Sequence, residues 1–186
     1  MNVISKNTKI GNDVEIGNYV IIEDGVVIGN NCKIGNYTHI KKNNSVGDRT
    51  IIGNYCEIGE DNIIGDNVII QGRNRLAEKC VIENNVTIKY GTILTSYVRL
   101  KNNCFLGPNT ITLGSTHKRI TKHGTTIGSN TYIGAGSKIA ADTVIEDNIV
   151  VGANSFVNNN IQNKTNSTIV FAGTPVKYIK IIDNII

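Results

Sequence analysis

The residues best suited to chemistry in this sequence are two histidines that share one polar segment. His117 and His123 lie in LGSTHKRITKHGTT, which spans residues 113–126. Imidazole has an unperturbed pKa of about 6.5, so it can accept a proton from a reacting amine or hydroxyl at cellular pH. The remaining histidine, His39, lies far from both in the sequence. A histidine of this segment could therefore serve as a general base, and the alternative is a structural or substrate-contacting role.

An aliphatic residue recurs at every sixth position through the first half of the chain. The run begins at Ile4 and continues without a break to Leu106. It lapses in the polar segment and resumes three places out of phase at Ile127, from which it continues to Val157. A fixed short period is typical of solenoids, which tolerate an insertion only when it is ejected from the wall. We therefore expect one ejected loop at about 113–126.

Each six-residue repeat, or hexad, is interpreted as a short strand followed by a turn. A smaller residue stands two places before each aliphatic, as Val20 does before Ile22, so that both side chains point inward. Gly, Asn or Asp commonly follows, and these residues tolerate the positive φ of a tight turn. A period of six fits neither an amphipathic helix nor a long alternating strand. Such strands bury their inner residues only by stacking coil on coil, which predicts a β-solenoid of unspecified hand.

The four cysteines all occupy the small inward position of their hexads. They lie 24 residues apart, at Cys32, Cys56, Cys80 and Cys104. In a coil of three hexads this spacing moves each cysteine to the next wall. Cys32 and Cys104 share a wall but are separated by about 19 Å, at roughly 4.8 Å per coil, which is beyond the reach of a disulfide. We expect reduced cysteines that serve as small core residues.

Several stretches of the second half resemble the hexapeptide-repeat acyltransferases. They are GPNTITLGSTH, TIGSNTYIGAGSKI, IVVGANSFV and AGTPVKYI, which are similar to sequences of galactoside, maltose and xenobiotic acetyltransferases. With YGTILTSYVRLKNNCFLGPN before them, they also resemble the nucleotide-sugar N-acetyltransferases. The resemblance implies an all-β fold, the left-handed parallel β-helix with three hexads per coil. It also implies one acyltransferase domain over residues 1–186, with a short C-terminal cap.

The resemblance also suggests which residues serve catalysis and the acceptor. His117 matches the general base of the O-acetyltransferases, whereas His123 has no counterpart and is expected at the loop surface. Asn109 and Thr87 are expected to contact the acceptor. Thr87 stands where those relatives have Asn, and Tyr132 stands where many have Trp. The identity of the acceptor therefore cannot be inferred from those relatives.

For the acyl donor, the resemblance implies acetyl-CoA as cosubstrate. Ala135 and Ala153 lie 18 residues apart and are expected to line the groove for the pantetheine arm. Small residues of this kind are also common in ordinary turns. Lys177, after the Gly-Thr-Pro turn, matches a basic residue that meets a coenzyme A phosphate, although a solvated lysine is the alternative. Asn158 and Asn159 replace a Thr-Lys pair of the relatives, which weakens the expected phosphate contact.

The function that this resemblance favours is acetyl transfer to the amino group of a nucleotide-linked deoxyamino sugar in surface-polysaccharide biosynthesis. Repeats that run from Ile4 match the nucleotide-sugar enzymes. A sugar O-acetyltransferase of the galactoside or maltose type is the alternative, because the N-acetyltransferases often carry an FTND-like sequence where this chain has Thr116-His117. A non-catalytic β-helix scaffold would explain the repeats but neither the histidine segment nor the Gly-Thr-Pro tail.

Composition narrows the possible partners. The net charge of +4 arises from 19 basic and 15 acidic residues scattered along the chain, and this pattern argues against a nucleic-acid partner. The N-terminal residues lack the pattern of a signal peptide, and no apolar run approaches the roughly 18 residues that span a bilayer. We expect a cytoplasmic protein without membrane insertion. No metal is expected, because a zinc site on this fold needs three convergent histidines and His39 lies some four coils from the others.

The outward positions of the hexads predict self-association. They are apolar along two walls of the expected prism, where solvent exposure would cost roughly 25 cal/mol per Å². One wall carries Val27, Ile63 and Val81, and the other carries Ile51, Ile69 and Phe105. Two different walls that meet head to tail around a threefold axis close into a ring, which agrees with the trimer of the resembled family. A homotrimer with sites between chains is therefore expected.

Overall fold

The protein folds into a left-handed parallel β-helix of about nine turns, which confirms the predicted fold class. The structure is a computed structural model and describes residues 1–115 and 124–182. All regular secondary structure in these two ranges is β. No helix of the length and apolarity needed to cross a bilayer occurs within them.

Successive strands pass from one wall of the prism to the next, so that every third strand lies on the same wall. Each wall is one sheet, and we name the three walls A, B and C in the order in which the chain meets them. Wall A contains β1 (Val3–Ile4), β4 (Ile21–Ile22), β7 (His39–Ile40), β10 (Glu57–Ile58), β13 (Arg75–Leu76), β16 (Ile93–Leu94), β19 (Ile111–Thr112), β22 (Lys138–Ile139) and β25 (Phe156–Val157). Wall B contains β2 (Lys9–Ile10), β5 (Val27–Ile28), β8 (Ser45–Val46), β11 (Ile63–Ile64), β14 (Val81–Ile82), β17 (Arg99–Leu100), β20 (Thr126–Ile127) and β23 (Val144–Ile145). Wall C contains β3 (Glu15–Ile16), β6 (Lys33–Ile34), β9 (Ile51–Ile52), β12 (Ile69–Ile70), β15 (Thr87–Ile88), β18 (Phe105–Leu106), β21 (Tyr132–Ile133), β24 (Ile149–Val151), β26 (Thr168–Ala172) and β27 (Lys177–Ile182).

Parallel pairing between residues 18 apart fixes the register of the coils. Ile63 pairs with Val81 on wall B, and Ile51 pairs with Ile69 on wall C. The two outward apolar rows predicted from the sequence therefore lie on walls B and C. The ladder is regular, as the bond from the Val3 nitrogen to the Val20 oxygen (2.9 Å) illustrates. On wall A, His39, Glu57 and Arg75 form a surface column on successive coils.

The core consists of the inward residues of every wall. The large aliphatics from Ile22 to Val157 are at most 3% exposed, and the small inward positions fill the space between them. Cys32, Cys56, Cys80 and Cys104 are buried and unpaired, which confirms their predicted role as small core residues. Their thiols donate to backbone carbonyls, for example Cys104 Sγ to the Gly128 oxygen at 2.8 Å.

The corners between walls turn through residues with positive φ and are held by side-chain ladders. At the corner from wall B to wall C, the Asp48 carboxylate accepts from the Asn30 nitrogen at 2.7 Å. The Asp66 carboxylate in turn accepts from the Asp48 nitrogen at 2.8 Å. The carboxylate thus takes up a backbone N–H that the turn leaves unpaired, which explains the Asn and Asp residues that follow the aliphatics.

The polar segment is inserted at the corner from wall A to wall B, between β19 and β20. Across it, β17 pairs with β20 through residues 27 apart instead of 18, so the excursion adds nine residues to one coil. The stacking of the walls continues undisturbed on both sides, since Phe105 pairs with Tyr132 and Ile111 with Lys138. Residues 116–123, which include His117 and His123, lie outside the described residues.

The C-terminal part departs from hexads without leaving the prism. The hexad period ends after Val157, but Ile161 bridges Ile145 and continues wall B at a spacing of 16 residues. The predicted C-terminal cap is the hairpin of β26 and β27. Because β27 pairs antiparallel with β26, it covers the last strand backbone of wall C. β27 thereby becomes the terminal strand of wall C, and its residues from Lys177 to Ile181 remain exposed.

Candidate functional site

The corner from wall C to wall A carries a column of small residues in its upper coils. Ala135 follows β21, and Ala153 stands one coil above it after β24. The coils approach closely there, because a Cβ at Gly134 would lie only 2.4 Å from the Ala153 nitrogen. The Asn154 nitrogen donates to the Ala135 oxygen at 2.8 Å, which ties the two turns together.

The outer side of this column is open. Ala135 is half-buried and Ala153 is exposed, so at these two positions a methyl group and the backbone face the surface. A narrow linear molecule can approach backbone amides at such a strip, whereas large side chains would hold it away. The structure therefore brings the two predicted cofactor residues into one column, and both positions are also turn positions of this corner.

Lys177 lies just beyond the top of the same column. It opens β27 and is exposed, opposite Ala172 of β26. The Thr174 hydroxyl in the preceding turn donates to the Asn154 oxygen at 3.2 Å and so attaches the turn to the corner. No salt bridge to Lys177 is found among the described residues. Its ammonium group is thus available to an anion at this end of the column.

Thr87 and Asn109, the two residues expected to contact the acceptor, lie in coils below Ala135 and Ala153. Thr87 is half-buried in the outward row of wall C, between Ile69 and Phe105. Asn109 is exposed and turns the corner below Ala135 with a φ of 56°. Its nitrogen donates to the Tyr90 oxygen at 2.9 Å, so Asn109 also has a structural role in the turn.

The segment that carries His117 is inserted between β19 and β20, at a different corner than the small-residue column. Its root is fixed by the Thr112 hydroxyl, which accepts from the Thr95 nitrogen at 2.9 Å. Within one chain, the whole width of wall A separates this corner from Ala135 and Ala153. One chain alone therefore does not bring the candidate base and the candidate donor groove together.

Sequence reasoning missed a cleft at the root of the ejected segment. It has a volume of about 480 Å³ and is bordered by Glu78, Thr95, Ser96, Tyr97 and Gly114. The pKa of the Glu78 carboxyl is lowered, mainly by a hydrogen bond from the Ser96 side chain, and this favours the ionised carboxylate. A signal was present in the sequence, since Tyr97 stands at a turn position with a φ of 65° where Asn or Gly is usual.

His39 is engaged on the outer surface of wall A. Its Nε2 lies 2.7 Å from the Glu23 carboxylate. Next to it, Lys41 donates to Glu57 at 2.9 Å, and this bond lowers the pKa of the Glu57 carboxyl and raises the pKa of Lys41. These contacts form a surface ladder of ion pairs.

The cysteines are unsuited to nucleophilic catalysis. Burial raises the pKa of the Cys56 thiol to about 11 and the pKa of the Cys80 and Cys104 thiols to about 12. Because the thiolate is the reactive form, these groups are inert at neutral pH. Among residues 1–115 and 124–182, no group of three His, Cys, Asp or Glu side chains could hold a metal ion.

Comparisons with known sequences agree with the repeat. The profile described as "Bacterial transferase hexapeptide (six repeats)" matches residues 7–42 and 124–159. Serine acetyltransferases from two strains of Staphylococcus epidermidis are each 42% identical over 65 residues, which is 32% of this chain and 30% of theirs. The match thus spans less than a third of the length of these relatives.

Comparisons with solved structures extend over almost the whole chain. A UDP-N-acetylglucosamine acyltransferase has a TM-score of 0.64 at 18% identity, with 95% of this chain and 70% of that chain covered. The acetyltransferase domain of PglB from Neisseria gonorrhoeae has a TM-score of 0.52 at 12% identity, with 96% and 58% covered. At these identities the likeness establishes the fold. The repeat matches and the shared fold confirm the predicted resemblance to hexapeptide-repeat acyltransferases.

Proposed function

We propose that the protein is an acetyl-CoA-dependent acetyltransferase that acts on the amino group of a nucleotide-linked deoxyamino sugar in surface-polysaccharide biosynthesis. The observation that carries this proposal is the open column of Ala135 and Ala153, with the free Lys177 at its upper end. The column suits the thin pantetheine arm, and the lysine suits the phosphates of coenzyme A.

Assembly as a trimer would bring the separated parts of the site together. Walls B and C share one corner, and exposed apolar side chains stand outward on both, including Ile63 (56% exposed) and Ile69 (38%). If wall B of one subunit packs on wall C of the next, the three shared corners face the threefold axis. The outer edge of each interface is then bordered by the C-to-A corner of one subunit and the A-to-B corner of its neighbour.

This arrangement supports a site shared between subunits. One subunit contributes the column of Ala135 and Ala153, together with Thr87 on the adjoining wall. The neighbouring subunit contributes the segment with His117, because that segment leaves from the A-to-B corner. The closed ring therefore gives a physical reason for the ejection of the polar segment at this corner.

The proposed reaction is acyl transfer from the thioester. The neutral amine attacks the carbonyl carbon of acetyl-CoA while the carbon–sulfur bond breaks, and the coenzyme A thiolate departs. His117 takes the proton that the amine loses and can pass it to the thiolate. Thr87 and Asn109 orient the sugar, and the backbone at Ala135 and Ala153 holds the pantetheine amides.

The names of the similar proteins support the class of reaction. The names UDP-N-acetylglucosamine acyltransferase and acetyltransferase domain of PglB both state an acyl transfer, and the first name also includes a nucleotide sugar. Transfer to a hydroxyl is the second candidate. Two observations favour it, namely the Thr116-His117 sequence and the match to serine acetyltransferases, whose acceptor carries a hydroxyl.

The experiment is an acceptor screen with the purified protein. Release of free thiol from acetyl-CoA is followed in the presence of nucleotide-linked amino sugars, free amino sugars, and neutral galactosides and maltosides. We expect thiol release to depend on a nucleotide-linked amino sugar. Release with neutral sugars alone would support O-acetylation, and no release with any acceptor would contradict acetyl transfer.

A further inference from the structure

Another cleft lies at the C-to-A corner, in coils below the column of Ala135 and Ala153. It has a volume of about 500 Å³ and is bordered by Ile51, Tyr55, Ile69, Gln71, Arg73 and Tyr90. We call it the corner cleft. Its position, its aromatic walls and its unpaired positive charge together indicate a binding site that the sequence analysis did not identify.

Arg73 supplies the positive charge. Its guanidinium carbon lies 5.7 Å from the centre of the Tyr55 ring and 5.8 Å from the centre of the Tyr90 ring. The two rings hold the guanidinium by cation–π contact, which leaves its N–H groups free. No salt bridge involves Arg73 within the described part of the chain. A planar donor held in this way suits the oxygens of a phosphate.

The aromatic side of the cleft is preformed. Tyr19, Tyr37 and Tyr55 stack on successive coils with ring centres 5.0 Å apart and rings nearly parallel. Each has a φ of 57° or 58°, which is unusual for a bulky residue. Arg73 continues this ladder at the same turn position with a φ of 56°. The ladder therefore fixes the Tyr55 ring and the Arg73 side chain before any ligand binds.

The remaining surface of the cleft is apolar. Ile51 and Ile69 stand in the outward row of wall C and are each 38% exposed in the single chain, so in the proposed trimer wall B of the neighbour would close this side of the cleft. On the other side, Gly72 leaves room for the Tyr90 ring, since a Cβ there would lie 3.2 Å from the Tyr90 Cε2 atom. A ligand that combines a flat apolar ring with an anionic group matches both surfaces, and a nucleoside diphosphate has both.

The place of the cleft agrees with that ligand. Thr87, the residue proposed to contact the sugar, pairs directly with Ile69 of the cleft. The Tyr90 oxygen accepts from the Asn109 nitrogen, and the Pro108 oxygen accepts from the Gly136 nitrogen at 2.8 Å, so the corner runs continuously up to Ala135. An acceptor with its sugar at Thr87 would thus extend toward Arg73, while the donor extends the opposite way.

We propose that the corner cleft, at the outer edge of the proposed interface, binds the nucleoside diphosphate of the acceptor, with the base beside the tyrosines of the corner and the phosphates on Arg73. This inference rests on the proposed function, whose acceptor is a nucleotide-linked sugar. It assigns recognition of the nucleotide to coils well below the groove proposed for coenzyme A.

The test is calorimetric titration of the purified protein with UDP, GDP and dTDP in the absence of acetyl-CoA. We expect at least one of them to bind, and Arg73→Gln to weaken its binding about tenfold or more, as expected for the loss of a charge-assisted contact. The matched control is Arg75→Gln, which removes an equal charge two residues away on wall A, where Arg75 lies 3.5 Å from Glu57. Its affinity should equal that of the wild type.

The outcomes separate this inference from the proposed function. Equal nucleotide affinity in Arg73→Gln and the wild type would overturn the inference, as would absence of binding by all three nucleotides in a protein that still consumes acetyl-CoA. Binding that depends on Arg73 in a protein that never consumes acetyl-CoA would support the cleft and refute the transferase. Circular dichroism of both variants shows whether the coils remain folded.

Discussion

Gly107 and Ala135 lie against each other at the C-to-A corner, one coil apart, and a Cβ at Gly107 would lie only 2.5 Å from the Ala135 nitrogen. The contact is with backbone, which cannot move aside without disturbing the ladder. Glycine at this position is therefore required by the close stacking of the coils below the proposed donor groove.

This contact predicts a loss of stability in Gly107→Ala. The added methyl group should lower the free energy of unfolding by about 1–3 kcal/mol, the usual cost of overpacking. Equilibrium urea unfolding measures it. Gly114→Ala is the matched control, because its Cβ would meet the Thr95 side chain at 3.3 Å, and its effect should stay within about 0.5 kcal/mol. Equal stability of both variants would show that the corner is less rigid than the structure indicates.

The donor groove predicts a selective effect of Ala153→Leu. The larger side chain would cover the exposed strip at Ala153, so the KM for acetyl-CoA should rise by about tenfold or more, which corresponds to about 1.4 kcal/mol of binding. Asn18→Leu serves as the control, because Asn18 has the same hexad position at the same corner near the opposite end of the prism. Steady-state kinetics should show no change for the control. An unchanged KM in Ala153→Leu would remove this column from the donor site.

His117→Ala should lower kcat by roughly 10²–10⁴, the usual contribution of a general base. Binding of coenzyme A, measured by titration, should persist because the column is on a different corner. His123→Ala, in the same segment, should retain near-normal turnover. Near-normal turnover of His117→Ala would instead exclude His117 as the base and would fit an amine acceptor that needs little help to lose its proton.

The assembly predicts a mass near three times 20.2 kDa in light scattering at micromolar concentration. Ile63→Glu on wall B should dissociate the trimer, since it would bury a charge at the interface. Ile21→Glu provides the comparison, because Ile21 is also an exposed isoleucine (39%) but lies on wall A, outside the proposed interface. A monodisperse and active monomer of the wild type would contradict both the trimer and the shared site.

Much of the fold was predictable because the hexad imposes one simple rule on inward and outward positions. The rule placed Ile63 and Val81 on one wall and Ile51 and Ile69 on another, and the structure confirms these pairs. It also placed the cysteines in the core, because a small inward position has the same role in every coil. The ejected segment was evident from the shift in phase between Leu106 and Ile127.

Other features depend on contacts that the period does not encode. The bridge between Ile161 and Ile145 joins residues that are 16 apart. Because 16 is not a multiple of six, the hexad period does not predict this bridge. The arrangement of Arg73 between Tyr55 and Tyr90 depends on turn side chains, which vary in identity while the inward residues keep the period. The column of Ala135 and Ala153 was predicted through resemblance, since small turn residues have no distinctive pattern of their own.

The most direct test of the account is the mass of the product. The protein is incubated with acetyl-CoA and a panel of nucleotide-linked amino sugars, and the products are weighed by mass spectrometry before and after mild alkaline treatment. One nucleotide amino sugar should gain the mass of one acetyl group and retain it in alkali, as an amide does. An acetyl group lost in alkali would show an ester and hence O-acetylation, and no acetylated product from any member of the panel would contradict the proposed function.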